Sequence, residues 1–164
     1  MRHLWQALLL GALVAIAAPA AYAQDAIYVV RHAERADQST DSPLSPAGQT
    51  RAESLARVLR DAGVTHIFTT ELQRTAQTAA PTATSRHVTP HALAAADTAA
   101  VVTALRRLTP TDRALVVGHS NTVPAILAGL GVTTPVTIAD AEFDNLFVVV
   151  PRADGPPALL RIRY

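Results

Sequence analysis

Two histidines and two arginines carry the chemistry this sequence offers. His32 follows directly on the apolar run Ala26-Ile27-Tyr28-Val29-Val30, with Arg31 between them, and His119 follows Gly118 at the end of Ala114-Leu115-Val116-Val117. Arg74 stands shortly after His66-Ile67-Phe68-Thr69. A neutral imidazole keeps a nucleophilic lone pair on one ring nitrogen. A guanidinium presents a planar donor fork that suits phosphate oxygens. Together these groups describe a site in which arginines hold a phosphoryl group while a histidine attacks phosphorus. Each also has a purely structural reading: Arg31 paired with Glu34, Arg74 paired with Glu71, His119 as a helix cap. A metal site built on His32, His119 and Glu34 is weaker, because the chain has no His-Glu-x-x-His spacing and two arginines at the same place repel a dication.

The elements that must position these residues are legible from periodicity. Ala26–Val30 reads as a buried strand and 33–42 as a polar loop beyond it. Ser45-Pro46 starts a helix with a capping hydroxyl and a proline at the first position, and Gly63 stops it. His66–Thr69 is a second strand. Thr70 is a candidate cap for a helix with Glu71 in its first turn, which Pro81 kinks or ends. Arg86–Thr89 reads as a short edge strand. Asp97 caps a helix carrying Val101, Val102, Leu105 and Leu108. Arg113–Val117 is a strand, Pro124–Leu130 a helix, and Asn145–Val150 with Ala158–Arg163 a hairpin turning at Asp154-Gly155. This order predicts an α/β protein, a three-layer α/β/α sandwich with a mostly parallel central sheet and a C-terminal antiparallel hairpin. In such sheets ligands bind beyond the carboxyl ends of the strands, the rim to which Arg31, His32, Arg74 and His119 all belong.

Composition narrows the rest. The 164 residues fit one domain, without internal repeats or a linker. There is no Cys, which excludes disulfides and thiolate catalysis, and no Lys, which excludes Schiff-base chemistry. Residues 1–23 combine Arg2, the apolar run Leu4–Ala18 and the small-x-small Ala21-Tyr22-Ala23, the pattern of a secretory signal peptide, leaving 24–164 as the folded domain. Periplasmic or secreted localisation follows as an expectation. Cleavage would remove Arg2 and take the formal net charge from +1 to 0, without the basic excess of a nucleic-acid surface. The later apolar runs are strand-sized, so the mature chain is expected to lack a membrane span.

Four blocks give the chain a resemblance to a known family. Tyr28-Val29-Val30-Arg31-His32-Ala33-Glu34 resembles the strand and Arg-His-Gly signature of the histidine phosphatase superfamily, the phosphoglycerate mutase-like proteins, in its small phosphatase branch. Leu44-Ser45-Pro46-Ala47-Gly48-Gln49-Thr50-Arg51-Ala52 is similar to its Leu-Thr-x-x-Gly-x-x-Gln/Arg-Ala helix start, and Ile67-Phe68-Thr69-Thr70-Glu71-Leu72-Gln73-Arg74-Thr75-Ala76-Gln77-Thr78-Ala79 to its Ser-x-Leu-x-Arg-x-x-Gln-Thr-Ala block. Val116-Val117-Gly118-His119-Ser120-Asn121 resembles its second-histidine block. The resemblance implies a phosphohistidine intermediate on His32, phosphate binding by Arg31, Arg74 and His119, and no metal or organic cofactor. It implies a phosphatase, with a mutase-like phosphotransferase or a non-catalytic phosphate-binding module as alternatives. The partner is then a phosphorylated small molecule, an envelope saccharide or a phosphoprotein. Two positions depart from the pattern. Ala33 replaces the commoner Gly, which implies ordinary backbone angles there. The family's Leu-x-Glu carboxylate falls in His91-Ala92-Leu93-Ala94-Ala95-Ala96-Asp97, where Ala occupies the Glu position. Glu34 is the candidate general acid, with Asp97, better read as a helix cap, and His91 as the other options.

Overall fold

The computed structural model describes residues 25–164, so the signal-peptide expectation for 1–23 lies outside the described residues. A six-stranded sheet in the order β3-β2-β4-β1-β5-β6 forms the middle layer. Its strands are β1 (Ala26–Arg31), β2 (His66–Thr70), β3 (His91–Leu93), β4 (Arg113–Gly118), β5 (Asn145–Val150) and β6 (Ala158–Arg163). The first four run parallel, whereas β5 is antiparallel to both β1 and β6. Helices α1 (Pro46–Val58) and α2 (Gln73–Arg86) cover one face; α3 (Thr98–Leu105) and α4 (Thr122–Gly129) cover the other.

The unbroken apolar runs of β1 and β4 are explained by burial on both faces. Ile27, Val29, Ala114 and Val116 join Val101, Leu105, Ile126 and Leu127 in one core, while Val30, Leu115 and Val117 meet Leu55, Leu59 and Ala79 in the other. Because β1 and β4 are parallel neighbours in the register Arg31↔Gly118, the residues that follow them, His32 and His119, leave the sheet side by side.

The architecture matches the sequence expectation, and several boundaries are corrected. Helix α1 is capped by Ser45, whose hydroxyl accepts from the Gly48 N–H, but it ends at Val58; Gly63, at φ +66°, turns the chain beyond it into β2. Helix α2 starts at Gln73, with Leu72 as its cap residue, so Glu71 precedes the helix. It continues through Pro81 to Arg86. The buried face formed by Thr75, Thr78, Ala79 and Thr82 holds it on the sheet despite the one hydrogen bond that a proline removes. The edge strand is therefore His91–Leu93 rather than Arg86–Thr89, and His87 closes the helix in the left-handed conformation. Helix α3 ends at Leu105, so Leu108 packs against the core from outside it. Asp97 caps α3 by accepting from the Ala100 N–H at 2.8 Å. The hairpin connection spans 151–157, wider than a tight Asp-Gly turn, with Gly155 at φ +84°.

Candidate active site

The structure brings Arg31, His32, Arg74 and His119 to the carboxyl rim of the parallel strands. The two imidazoles meet edge to face, with centroids 5.2 Å apart. His32 extends the β1–β4 ladder by one rung, its N–H donating to the Gly118 carbonyl at 2.9 Å. Its Nδ1 lies 2.7 Å from the Ala33 carbonyl oxygen, which can only accept. Nδ1 therefore carries the proton, and Nε2 is left as the lone-pair nitrogen. Burial, joined by the nearby charges of Arg74 and Arg31 and by His119, drives the His32 imidazole down to about 3 against the pull of the Ala33 carbonyl. His119 is driven down to about 4, by burial first and Arg74 second, with Glu71 opposing. Both rings are thus neutral near pH 7, the form a nucleophilic histidine requires.

Arg31 is held by backbone rather than by an acid. Its Nη1 donates to the carbonyls of Ala139, Asp140 and Glu142 at 2.9 to 3.2 Å, and the guanidinium stacks on Phe143 at 4.0 Å. Arg74 donates through Nη1 to the Thr40 carbonyl at 2.7 Å. Neither arginine makes an ion pair with a carboxylate among the described residues, and each has a buried Nε without a hydrogen-bond partner. Buried unpaired donors of this kind are costly, and an oxyanion ligand is one reason a fold keeps them. Arg35 adds a third cation: its charge bears on both Arg31 and Arg74, and its Nη2 donates to Gln38 Oε1 at 2.7 Å.

The loop after His32 is fastened to α2 and α1. The Ala33 N–H donates to Thr78 Oγ1, which in turn donates to the Arg74 carbonyl. The Leu44 N–H donates to Gln77 Oε1 at 2.7 Å. Asp41 accepts from the Gln73 N–H at 2.7 Å and from its side-chain amide at 3.1 Å, so it caps α2 from a distant segment where Leu72 has no side chain to do so. Gly48 lets α1 press against the same loop, since a Cβ there would overlap the Glu34 carbonyl oxygen. Ala33 has no left-handed backbone, as expected, and is fully buried beside Leu44 and Ala52.

The three acid candidates are placed elsewhere. The Glu34 carboxylate accepts from Arg51 Nε at 2.8 and 2.9 Å and from Nη2 at 2.6 Å. Burial alone would raise this carboxyl, but the Arg51 fork more than offsets it and holds Glu34 below the usual carboxylate range. An ionised, fully engaged carboxylate does not suit the acid role expected of it. Asp97 is occupied as the α3 cap. His91 lies at the start of β3, its ring 5.9 Å from that of Phe68 and away from the rim. Among the described residues, no group of three or more His, Cys, Asp or Glu is gathered as a metal site.

Sequence reasoning missed Phe143 and the carbonyls before it, Thr70, whose hydroxyl lies 3.4 Å from His119 Nε2, and the cap supplied by Asp41. Carbonyl oxygens carry no sequence signal. The Asp41-to-Gln73 contact crosses 32 positions of chain.

Residues 27–97 match the family model of the histidine phosphatase superfamily (branch 1). Over that stretch the chain is similar to the superfamily. Over 60 residues it is 40% identical to "Probable phosphoglycerate mutase GpmB" of Proteus mirabilis, an alignment spanning 32% of this chain and only 28% of that relative's length. Its fold is shared with the protein histidine phosphatase SixA solved with tungstate, at a TM-score of 0.70 and 19% identity over 84% of this chain and 96% of that one. A mycobacterial glucosyl-3-phosphoglycerate phosphatase superposes at 0.66 and 12% identity, over 85% of this chain and 98% of the other. No helix among the described residues is long and apolar enough to cross a membrane.

Proposed function

We propose that this chain is a metal-independent phosphatase acting outside the cytoplasm on phosphate monoesters or phosphohistidine. His32 Nε2 attacks phosphorus, the bond to the leaving group breaks, and a phosphohistidine forms. Water then attacks phosphorus, the P–N bond breaks, and inorganic phosphate leaves. Arg31, Arg74 and His119 hold and polarise the equatorial oxygens throughout. The observation that carries this reading is the Nδ1–H bond of His32 to the Ala33 carbonyl, which leaves a neutral Nε2 beside two arginines with unspent donors. A purely binding module needs the arginines but has no use for a tautomer fixed in this way. The export reading is supported by the signal-like pattern of residues 1–23.

The name of the GpmB relatives favours a second reading, in which the phosphoryl group passes to an acceptor other than water. Hydrolysis of an aryl phosphate by purified protein in EDTA decides for the phosphatase, and a product assay with added alcohol acceptors detects transfer. His32→Ala should lower kcat by about a thousandfold or more, as removal of a nucleophile does, while phosphate binding persists. Turnover that survives in His32→Ala, or that EDTA abolishes, would refute the mechanism.

A further inference from the structure

At the β2–α2 corner stands a carboxylate whose charge reaches both Arg74 and His119. Glu71 directly follows β2 and stands three residues before Arg74. Its side chain reaches across to the segment after β3, where Oε2 accepts from the Ala95 N–H at 2.8 Å. That is its one hydrogen bond among the described contacts, so Oε1 is unengaged. Glu34 is spent on Arg51, Asp41 on Gln73 and Asp97 on the Ala100 N–H, while the charge of Asp140 acts on Arg31 and not on His119. Glu71 also makes itself felt at the site, since its charge acts on both His119 and Arg74, whereas Asp97 acts on neither. Ala95 occupies the position at which the family resemblance implies a glutamate, and the Glu71 carboxylate is seated on its backbone N–H.

We infer that Glu71 is the proton donor to the leaving group, supplied from the β2–α2 corner in place of a carboxylate on the segment after β3. This deepens the phosphatase reading and rests on it. As the P–O bond breaks, the carboxyl proton of Glu71 passes to the departing oxygen, and the alcohol leaves neutral. In the second step the Glu71 carboxylate takes a proton from the attacking water as the new P–O bond forms and the P–N bond breaks. Glu71 is protonated again, and the balance is one ester and one water converted to one alcohol and one phosphate.

Acid assistance matters most when the leaving group is poor. Glu71→Gln keeps the acceptor for the Ala95 N–H and removes the transferable proton. It should lower kcat/KM for an alkyl phosphate such as glycerol phosphate by about a hundredfold, while 4-nitrophenyl phosphate loses about threefold or less. Asp97→Asn should keep the wild-type ratio between the two substrates. A Glu71→Gln enzyme that loses equally on both substrates, or an Asp97→Asn enzyme that loses selectively on the alkyl ester, overturns the assignment while leaving the phosphatase reading intact. A wild-type protein inert toward both esters overturns both. Glu71→Asp provides the control for folding, and partial recovery of the alkyl ester rate confirms a proton-transfer role.

Discussion

The two halves of the site are built to different tolerances. On the His32 side, the loop 33–44 is tied to α2 through Thr78, Gln77, Gln73 and Arg74, and to α1 through the Glu34–Arg51 pair. On the His119 side, the backbone is held by Thr122 and the first turn of α4, but the ring itself has only a long polar contact to Thr70 beside its edge-to-face contact with His32, and the segment after the short edge strand β3 is joined to the corner by the Glu71–Ala95 bond. In the proposed reaction His32 must be held at a fixed approach to phosphorus, which suits a half fastened at many points. In the proposed reaction the other half receives the leaving group, and there the side chains of His119 and Glu71 are each held by a single polar contact.

Breaking the tight half should cost most. Asp41→Ala removes the carboxylate that caps α2 and anchors the stretch whose carbonyl holds Arg74. We expect kcat/KM for phosphate esters to fall by about a hundredfold, the cost of misplacing a charged group by roughly an ångström, with KM rising as Arg74 loses its seat. Asp41→Asn retains an acceptor for the Gln73 N–H and should recover most of the loss. If both variants match wild type in steady-state kinetics, the loop does not position Arg74.

This contrast also explains what the sequence disclosed. Arg31, His32, Arg74 and His119 are legible because each stands at or shortly after the end of a strand, and the parallel β1–β4 pairing turns that pattern into contact between the two rings. Ser45-Pro46 and Asp97 were legible because caps are written locally. Pro81 misled because its local penalty is outweighed by a buried face that only the assembled sheet provides. Glu34 suggests an acid by its nearness to His32, but its carboxylate is taken up by Arg51, 17 residues away in sequence. Glu71 was read only as a neighbour of Arg74, because the segment it reaches lies 24 residues on.

Gly48→Ala tests the tight half by packing rather than by charge. The added methyl must displace the Glu34 carbonyl or push α1 outward. Overpacking of this kind costs about 1–3 kcal/mol, to be read as a lower denaturation midpoint with an unchanged m-value. Activity should fall with it, because Glu34 lies two residues from His32. A variant as stable as wild type would show that the loop yields easily, and the contrast between the halves would fail.

The smallest effect separates the two histidines by titration. Both have folded-state values below the 6.5 of a free imidazole, so the unfolded chain binds more protons between pH 6.5 and the folded values of about 4 and about 3. Stability therefore rises with pH across that window and is lost as pH falls through it. His119 should protonate before His32: it lies beside a hydroxyl that can turn to accept a proton, and Glu71 favours its charged form. His32 already spends its Nδ1 proton on the Ala33 carbonyl, and its Nε2 faces the positive charges of Arg74 and Arg31. A phosphate ion in the site should raise both values by offsetting those charges, and Glu71→Gln should lower that of His119 while moving His32 less. Ring-proton NMR shifts followed from pH 7 down to about pH 2.5, over the pH range in which the fold persists, measure the order directly. If His32 gains its proton first, the tight half is not the one that keeps its imidazole neutral, and the division of labour drawn from the hydrogen bonds is reversed.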